Sequence, residues 1–421
     1  MQFPHLRFGM RTLLILTVLV AIPSAWLGKH WLRTRVQRPI VAKIIANGGN
    51  VTYDYQYDGD NYDFNKSPPG WESIRSLLGD DFFACVIQAS CGFNSKPGPL
   101  SIHFEDLNEL RGLNLEASKF DDQTIARLAS LKKLEGLGLH NLKFKPETLK
   151  KLTTCPALTQ LTLQGTELTN EHLRELINFP RLTYFQFINS PLDDDGLLAI
   201  CELKNLETLD LLWSNSTPQL TERGYASLSQ LTKLQKFQLS GPADDGIAAI
   251  ANLPELESVL LWADQLTDNG LLKMSTLNQL VVLKIDSGLI SDAGLKALRG
   301  MPKLEWLQLA SPNFTDAGLS NLNGLTRLKH LELNFAGITD AGLTSLLPLT
   351  ELEELDLLEA KLTDQGLQQL VALSKLKRLT ITLSPSLTVA GVKQLRGRLT
   401  ECKFFDYQAS PGGGGITSEI P

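Results

Sequence analysis

The sequence predicts an α/β solenoid. Strand–turn–helix units stack in chain order, with a concave parallel sheet along one side and short helices along the convex side. Three observations predict it. The first is a recurring unit, seen at its clearest in Leu328–Leu349, LKHLELNFAGITDAGLTSLLPL. Leu331 and Leu333 alternate onto one face with Leu328 leading in, as in a short strand. Leu343, Leu346 and Leu349 keep the three-residue spacing of one helical stripe. The second is phase. The first leucine of the unit recurs at Leu110, Leu134, Leu158, Leu182, Leu206, Leu234, Leu256, Leu280, Leu304, Leu328, Leu352 and Leu376. Every step is 24 residues except one of 28 and one of 22. A repeat of this length is one supersecondary unit that cannot bury its own leucines, so about 12 such units must stack to make a continuous core. The third is the Thr-Asp-x-Gly-Leu punctuation. It puts Thr339 at a helix N-cap, Asp340 in the first turn and Gly342 where close packing is needed.

The repeats from Leu110 to Leu399 resemble the leucine-rich-repeat family, a likeness that is specific for fold and says little about function. At the ninth position, where many such proteins carry an asparagine ladder, this chain has Ser118, Thr166, Ser190, Ala336 and Ala360. Its Leu-Thr-Asp-x-Gly-Leu signature looks like the repeats of F-box substrate adaptors. No F-box segment precedes the repeats, so the resemblance does not carry ubiquitin-ligase function with it. The stretch FGMRTLLILT near the start is similar to the N-terminal anchor of bacterial membrane-anchored leucine-rich-repeat proteins.

In chain order, residues 1–11 are a basic N-terminus. Residues 12–28, TLLILTVLVAIPSAWLG, are uncharged and largely apolar. A helix of this length spans about 25 Å, so the segment is expected to be a transmembrane signal anchor making the protein single-pass. Pro23 makes a poor signal-cleavage site. Five basic residues follow the segment closely and two precede it, which favours the cytoplasmic face for the repeats. A short basic start before an apolar run favours the opposite side, so orientation stays open. Residues 29–70 form a juxtamembrane region, expected to begin as a basic helix broken near Pro39. Tyr53, Tyr55 and Tyr57 then alternate as in a strand. Asp58, Asp60 and Asp63 cluster after it, but Tyr62 and Asp63 break the EF-hand calcium pattern, leaving a solvated turn. Residues 71–109 are expected to be an N-terminal cap, with a helix over Trp71–Leu78 and a strand over Phe82–Ile87. The repeats follow at 110–399, with four extra residues within LLWSNSTPQLTERG, then a cap strand at 400–407 and a Gly- and Pro-rich tail at 408–421 expected to be disordered.

Charge narrows the function classes. Residues 1–43 hold seven of the 40 basic residues and none of the 46 acidic ones. The remainder is strongly acidic and would repel nucleic acid, whereas the basic head suits anionic lipid. The five cysteines form neither a disulfide framework nor a metal-binding pattern; Cys85 and Cys91 would pair only in an exported protein. The six histidines are scattered, and no hydrolase, metalloprotease or phosphate-loop motif is present. No cofactor, metal or catalytic residue is assigned.

The concave face carries the functional expectation. Its outward positions hold Tyr184, Ile188, Leu212, Trp213, Leu260, Trp262, Val282, Trp306, His330, Phe335 and Leu358. Asp210, Asp286, Glu332, Glu354, Asp356 and Glu359 surround them. Exposed aromatics are costly to solubility unless covered, and they dominate binding hot spots. The expectation is a non-catalytic protein- or peptide-binding face centred on Tyr184, Trp213, Leu260, Trp262, Trp306, His330 and Phe335. Three roles fit: a scaffold or receptor-like module, a cell-surface adhesion protein, or an adaptor recruiting clients to an enzyme.

Overall fold

The structure is a computed structural model. It describes residues 10–59, 61, 63–92, 100–116, 120–141, 145–165, 168–213, 220–334, 337–409 and 415–420; the side chains at 10–20, 22, 23, 80, 409 and 415 lie outside that description. It divides into two compact units, residues 1–161 and 162–421.

The first unit opens with α1 (Met10–Ala46), one helix of 37 residues. It does not break at Pro39. The ring removes one backbone donor, and the packing of the last four turns holds the helix through it. Thr34, Gln37, Ile40, Val41 and Ile44 recur at three- and four-residue spacing and are buried. Gln37 answers the exposed backbone beside it: its Nε2 donates to the Ala84 carbonyl at 3.2 Å, and its Oε1 accepts from the Val86 N–H at 3.0 Å. Arg38 clasps Asp81 with two bonds of 2.9 and 2.6 Å. The C-terminal half of α1 therefore belongs to the folded body. Among the described residues no helix is long and apolar enough to cross a membrane. The expected anchor at 12–28 falls within α1, and most of its side chains lie outside the described residues.

After α1 the chain turns at Gly49, where a Cβ would overlap the Ser90 carbonyl. Strand β1 (Asn50–Tyr53) pairs antiparallel with β2 (Val86–Cys91), while β3 (Gly112–Glu116) and β4 (Gly136–His140) follow β2 in parallel. The expected tyrosine strand stops at Tyr53. Asp54–Gln56 make a 3-10 turn in which the Asp54 carboxylate accepts from the N–H groups of Tyr55 and Cys85, and Tyr53 stacks on Tyr55 at 5.8 Å. Helix α2 (Glu72–Leu78) forms where a cap helix was expected. Six residues of extended chain hold Cys85 and Cys91 about 20 Å apart, far beyond disulfide reach. Asp60 and Tyr62 of the acidic turn lie outside the described residues. The division between the units falls within β5 (Gln160–Gln164).

In the second unit, nine strands run parallel in chain order: β6 (Tyr184–Ile188), β7 (Thr208–Leu212), β8 (Lys236–Ser240), β9 (Ser258–Trp262), β10 (Val282–Asp286), β11 (Trp306–Ala310), β12 (His330–Asn334), β13 (Glu354–Leu358) and β14 (Arg378–Ile381). The 28- and 22-residue steps leave register intact, since Thr208 lies opposite Lys236 and Lys236 opposite Ser258. Most of the extra residues fall at 214–219, outside the described residues. The second and fourth residue of each strand faces the helices and is buried: Leu307, Leu331 and Leu355 are 0–1% exposed. Each such leucine contributes roughly 1.5–3 kcal/mol of burial. The helices are shorter than the leucine stripe implies. Asp340–Leu343 is a single α-turn, yet Leu346 and Leu349 beyond it are fully buried.

The Thr-Asp-x-Gly signature has a specific physical reason here. In seven pairings the aspartate of one helix start is read by the hydroxyl residue of the next: Asp194 by Thr221 and then, after a break where Glu222 precedes Ala243, Asp244 by Thr267, Asp268 by Ser291, Asp292 by Thr315, Asp316 by Thr339, Asp340 by Thr363 and Asp364 by Thr388. Oδ1 accepts the backbone N–H at 2.7–2.9 Å and Oδ2 accepts the hydroxyl at 2.5–2.8 Å. The same hydroxyl oxygen caps its own helix, as Thr339 does by accepting from the Ala341 N–H at 3.3 Å. The glycine makes room: a Cβ at Gly342 would overlap Asp316 Oδ1, and one at Gly366 would overlap Asp340 Oδ1. Val389-Ala390-Gly391-Val392 departs in sequence but keeps the geometry through Thr388 and Gly391.

The C-terminal end departs from expectation. Strand β15 (Lys403–Ala409) continues the parallel order, and β16 (Gly415–Glu419) folds back antiparallel on it. Ile420 is 3% exposed, and its N–H donates to the Phe404 carbonyl at 2.8 Å. The tail expected to be disordered thus contributes a strand at 415–419, because Ile420 has an apolar place to go and the edge of β15 offers unpaired backbone groups. Residues 410–414 lie outside the described residues.

Candidate functional site

On β6–β14 the first, third and fifth residues point away from the helices, so they make an open sheet face. Most are half-buried. The expected site residues lie on or beside these positions, but the structure treats them differently. Tyr184 donates its hydroxyl to Asp210 Oδ2 at 3.0 Å. Trp213 reaches back one repeat and donates its indole N–H to the Ser190 carbonyl at 2.8 Å. Trp306 is held on two sides: the Lys284 ammonium lies 4.4 Å from its ring centroid, and His330 stacks on it at 4.3 Å. His330 Nδ1 in turn sits 3.2 Å from Glu354 Oε2. These four side chains are knitted into neighbouring repeats. Leu260 is half-buried. Phe335 lies outside the described residues.

Trp262 differs from them. It is 46% exposed, and among the described residues its side chain has no hydrogen bond, ring contact or cation partner. Asp286 lies directly opposite it in the β9–β10 register, and Asp264 follows it by two residues. Three residues after Asp286, Leu289 is 49% exposed. Asp264 and Leu289 were not among the expected site residues. A signal for Leu289 existed: the equivalent loop position holds Gln265, Asn313, Gly337 and Lys361 in the neighbouring copies, so an apolar residue there is unusual.

The electrostatics of the face are acidic and incompletely compensated. Asp210 is 3% exposed; burial pushes its carboxyl above the usual carboxylate range, only partly offset by the bonds from Tyr184 and Gln186. Its Oδ1 has no hydrogen-bond partner. Asp356 is likewise raised by burial. Asp286 is raised first by burial and then by the charge of Asp264. Farther along, Gln308 and Asn334 both donate to Glu332 Oε1, and Arg378 lies 4.6 Å over the Phe405 ring.

Two concavities are found among the described residues of the first unit. A cavity of about 350 Å³ lies beside α1, lined by Leu32, Val36, Val86 and Leu107 with Lys29, Arg33, Asp106 and Glu109 among its walls. A smaller polar one, about 180 Å³, opens where Gly112 and Gly136 leave the strand faces bare between Arg111, Glu135 and Gln160. No group of three or more histidines, cysteines and carboxylates suited to a metal ion occurs among the described residues.

No protein-family model matches this chain, and no curated protein is detectably similar to it. Solved structures do match. An internalin from Listeria monocytogenes aligns with a TM-score of 0.51 at 24% identity, covering 73% of this chain and 93% of that one. The structure of the yeast Rad7 and Elc1 complex aligns with a TM-score of 0.51 at 15% identity, covering 97% and 96%. A TLR13 chain solved with ssRNA13 aligns with a TM-score of 0.50 at 20% identity, covering 75% of this chain and 45% of that one. At these identities the likeness speaks for the fold alone. The phased repeat, the ordered parallel strands and these neighbours together show that the chain has the leucine-rich-repeat fold.

Proposed function

We propose that this protein is a non-catalytic binding scaffold that holds a protein or peptide ligand on the open sheet face of its second unit and is anchored to a membrane through residues 12–28. One observation carries the binding reading. On a face whose other described aromatics are tied to neighbouring repeats, the Trp262 side chain stands exposed without a partner, and Leu289, three residues beyond its register partner Asp286, is exposed too. A large apolar surface left in water costs free energy unless a partner covers it. The strongly acidic body favours a protein or peptide over a nucleic acid. The anchor reading rests on the sequence of residues 12–28 and on the way α1 runs from that segment directly into the folded body. The basic residues that follow favour the cytoplasmic side for the repeats.

Two experiments test this reading. A photo-crosslinking side chain placed at Trp262 in intact cells should trap a defined adduct, and one at the exposed Lys303 on another side of the repeat should not. Equal labelling from both positions, or a triple Trp213→Ala, Trp262→Ala, Trp306→Ala variant that keeps all adducts formed from a crosslinker at Leu260, would reject the open face as the binding surface. For the anchor, protease treatment of intact cells carrying a C-terminal tag should leave the tag protected. Digestion would put the repeats outside, in line with an adhesion role, and recovery in the soluble fraction would remove the anchor.

A further inference from the structure

We propose that Trp262, Asp264 and Asp286 form a receptor for a cationic side chain, so that the ligand of the open face is a polypeptide presenting a lysine or arginine there. This names the ligand chemistry of the face and rests on the binding reading above. Three observations carry it. First, the Trp262 ring is exposed and free, and the face of an indole is the best neutral partner a lysine or arginine finds in a protein. Second, among the described residues neither the Asp264 nor the Asp286 carboxylate has a hydrogen bond or ion pair, although Asp286 stands in register with Trp262 on the adjacent strand. Adjacent strands lie about 4.8 Å apart, so a cation over the ring is within Coulombic reach of that carboxylate. Third, the same face satisfies a tryptophan in this way elsewhere. At Trp306 the Lys284 ammonium sits 4.4 Å from the ring centroid. The chain therefore supplies the cation at one tryptophan and omits it at the other, where two carboxylates wait without a counter-charge.

Glu332, Glu354 and Asp356 continue the acidic character on later strands, and the cations among them, Lys284 and Arg378, already lie over the Trp306 and Phe405 rings, so an approaching basic segment is attracted. Burial first and the charge of Asp264 second raise Asp286, and a cation that enters offsets the second of these. Leu289, 49% exposed, offers apolar surface for the methylene stem of a long basic side chain.

The test uses the purified full chain and three fluorescent nonapeptides: alternating glycine and lysine, the same peptide with every lysine acetylated, and its glutamate counterpart. Anisotropy titrations should show binding of the lysine peptide, at least 10-fold weaker binding of the acetylated one, and none of the glutamate one. Trp262→Ala and the double change Asp264→Asn, Asp286→Asn should each weaken the lysine peptide by about 5- to 10-fold, a loss within the range of an exposed to partly desolvated cation–π contact. The inference is overturned if the lysine peptide does not bind, if acetylation makes no difference, or if the double variant binds as tightly as the native protein. Its failure is distinct from failure of the binding reading. Should Trp262→Ala weaken native and acetylated peptides alike, the open face still binds and only the cation receptor falls. Should neither Trp262→Ala nor the triple tryptophan variant weaken any peptide, both fall.

Discussion

Two surfaces of the second unit repeat with the same period and behave in opposite ways. At the helix starts, seven aspartates are matched by six threonines and one serine in the following repeats, with almost constant distances. On the open face, residues that pair in register change from valine to tryptophan to histidine to glutamate to arginine along five successive strands. The first surface is constrained by its own neighbours: each aspartate must meet the next hydroxyl, and each glycine must clear the preceding aspartate. The second has no such internal requirement, because the leucines between its residues already serve the core. Monotony in a repeat therefore marks what holds the stack together, and variety marks the surface free to meet something else.

The largest effect should come from breaking the monotonous surface at its tightest point. Gly366→Ala places a methyl group against Asp340 Oδ1, the closest of these approaches. Either the backbone shifts or the carboxylate swings away from Thr363, so a loss of about 2–4 kcal/mol is expected in urea unfolding. A loss below about 0.5 kcal/mol would show that the carboxylate moves aside freely and that the glycine is not needed for clearance. Next in size are the partners themselves. Thr339→Val removes both the hydroxyl bond to Asp316 and the helix cap, and about 1–2 kcal/mol is expected. A double-mutant cycle with Asp316→Asn should return a coupling near 1 kcal/mol; strict additivity would mean the two groups do not act as a pair.

These residues also show what could be read before the structure was known. The phase of the leucines dictates the parallel register, since equal steps put equivalent residues side by side. Thr339 as a cap and Gly342 as a close contact were legible from local pattern, because capping acts over three residues. The partner of Thr339 was not, because Asp316 lies 23 residues back and only stacking brings the two together. The unbroken helix at Pro39 escaped for the same reason: Ile40, Val41 and Ile44 gain tertiary burial that outweighs the lost donor. Glycines 412–415 read as a flexible tail, whereas the burial of Ile420 draws the chain back onto β15. On the open face the alternation put Tyr184, Leu260, Trp262, Trp306 and His330 at strand positions that point away from the helices. It did not tell Trp306, clasped by Lys284 and His330, from Trp262, which has no partner, since that difference depends on which neighbour stands in the next strand.

A smaller effect, with the opposite sign, is expected at Asp210. Burial raises its folded pKa above the unfolded value, so the folded state holds the proton more tightly. Its stability contribution is therefore greatest at low pH and is lost as pH rises from the ordinary carboxylate range through the raised value. Asp210→Asn removes that loss and keeps an oxygen for the Tyr184 hydroxyl. At neutral pH the variant should be more stable than the native protein by on the order of 1 kcal/mol, the cost of a buried acceptor left unpaired. Near pH 3 the two should coincide. A variant less stable at neutral pH would mean that the charge of Asp210 is compensated by the Tyr184 and Gln186 bonds.

The smallest expected effect separates the two tryptophans most cleanly. Trp262→Ala removes a ring that touches no polar or aromatic partner and leaves nearly half its surface in water, so stability should change by no more than about 0.5 kcal/mol. Trp306→Ala strips the contact surface from both Lys284 and His330 and should cost about 1–2 kcal/mol. Chemical unfolding of the two variants side by side decides the matter. If both lose the same amount, Trp262 is packed as firmly as Trp306, and its exposed ring is no longer evidence for a ligand. If only Trp306→Ala loses stability while Trp262→Ala loses the crosslinked partner, then a tryptophan that contributes almost nothing to folding is kept on this face for binding.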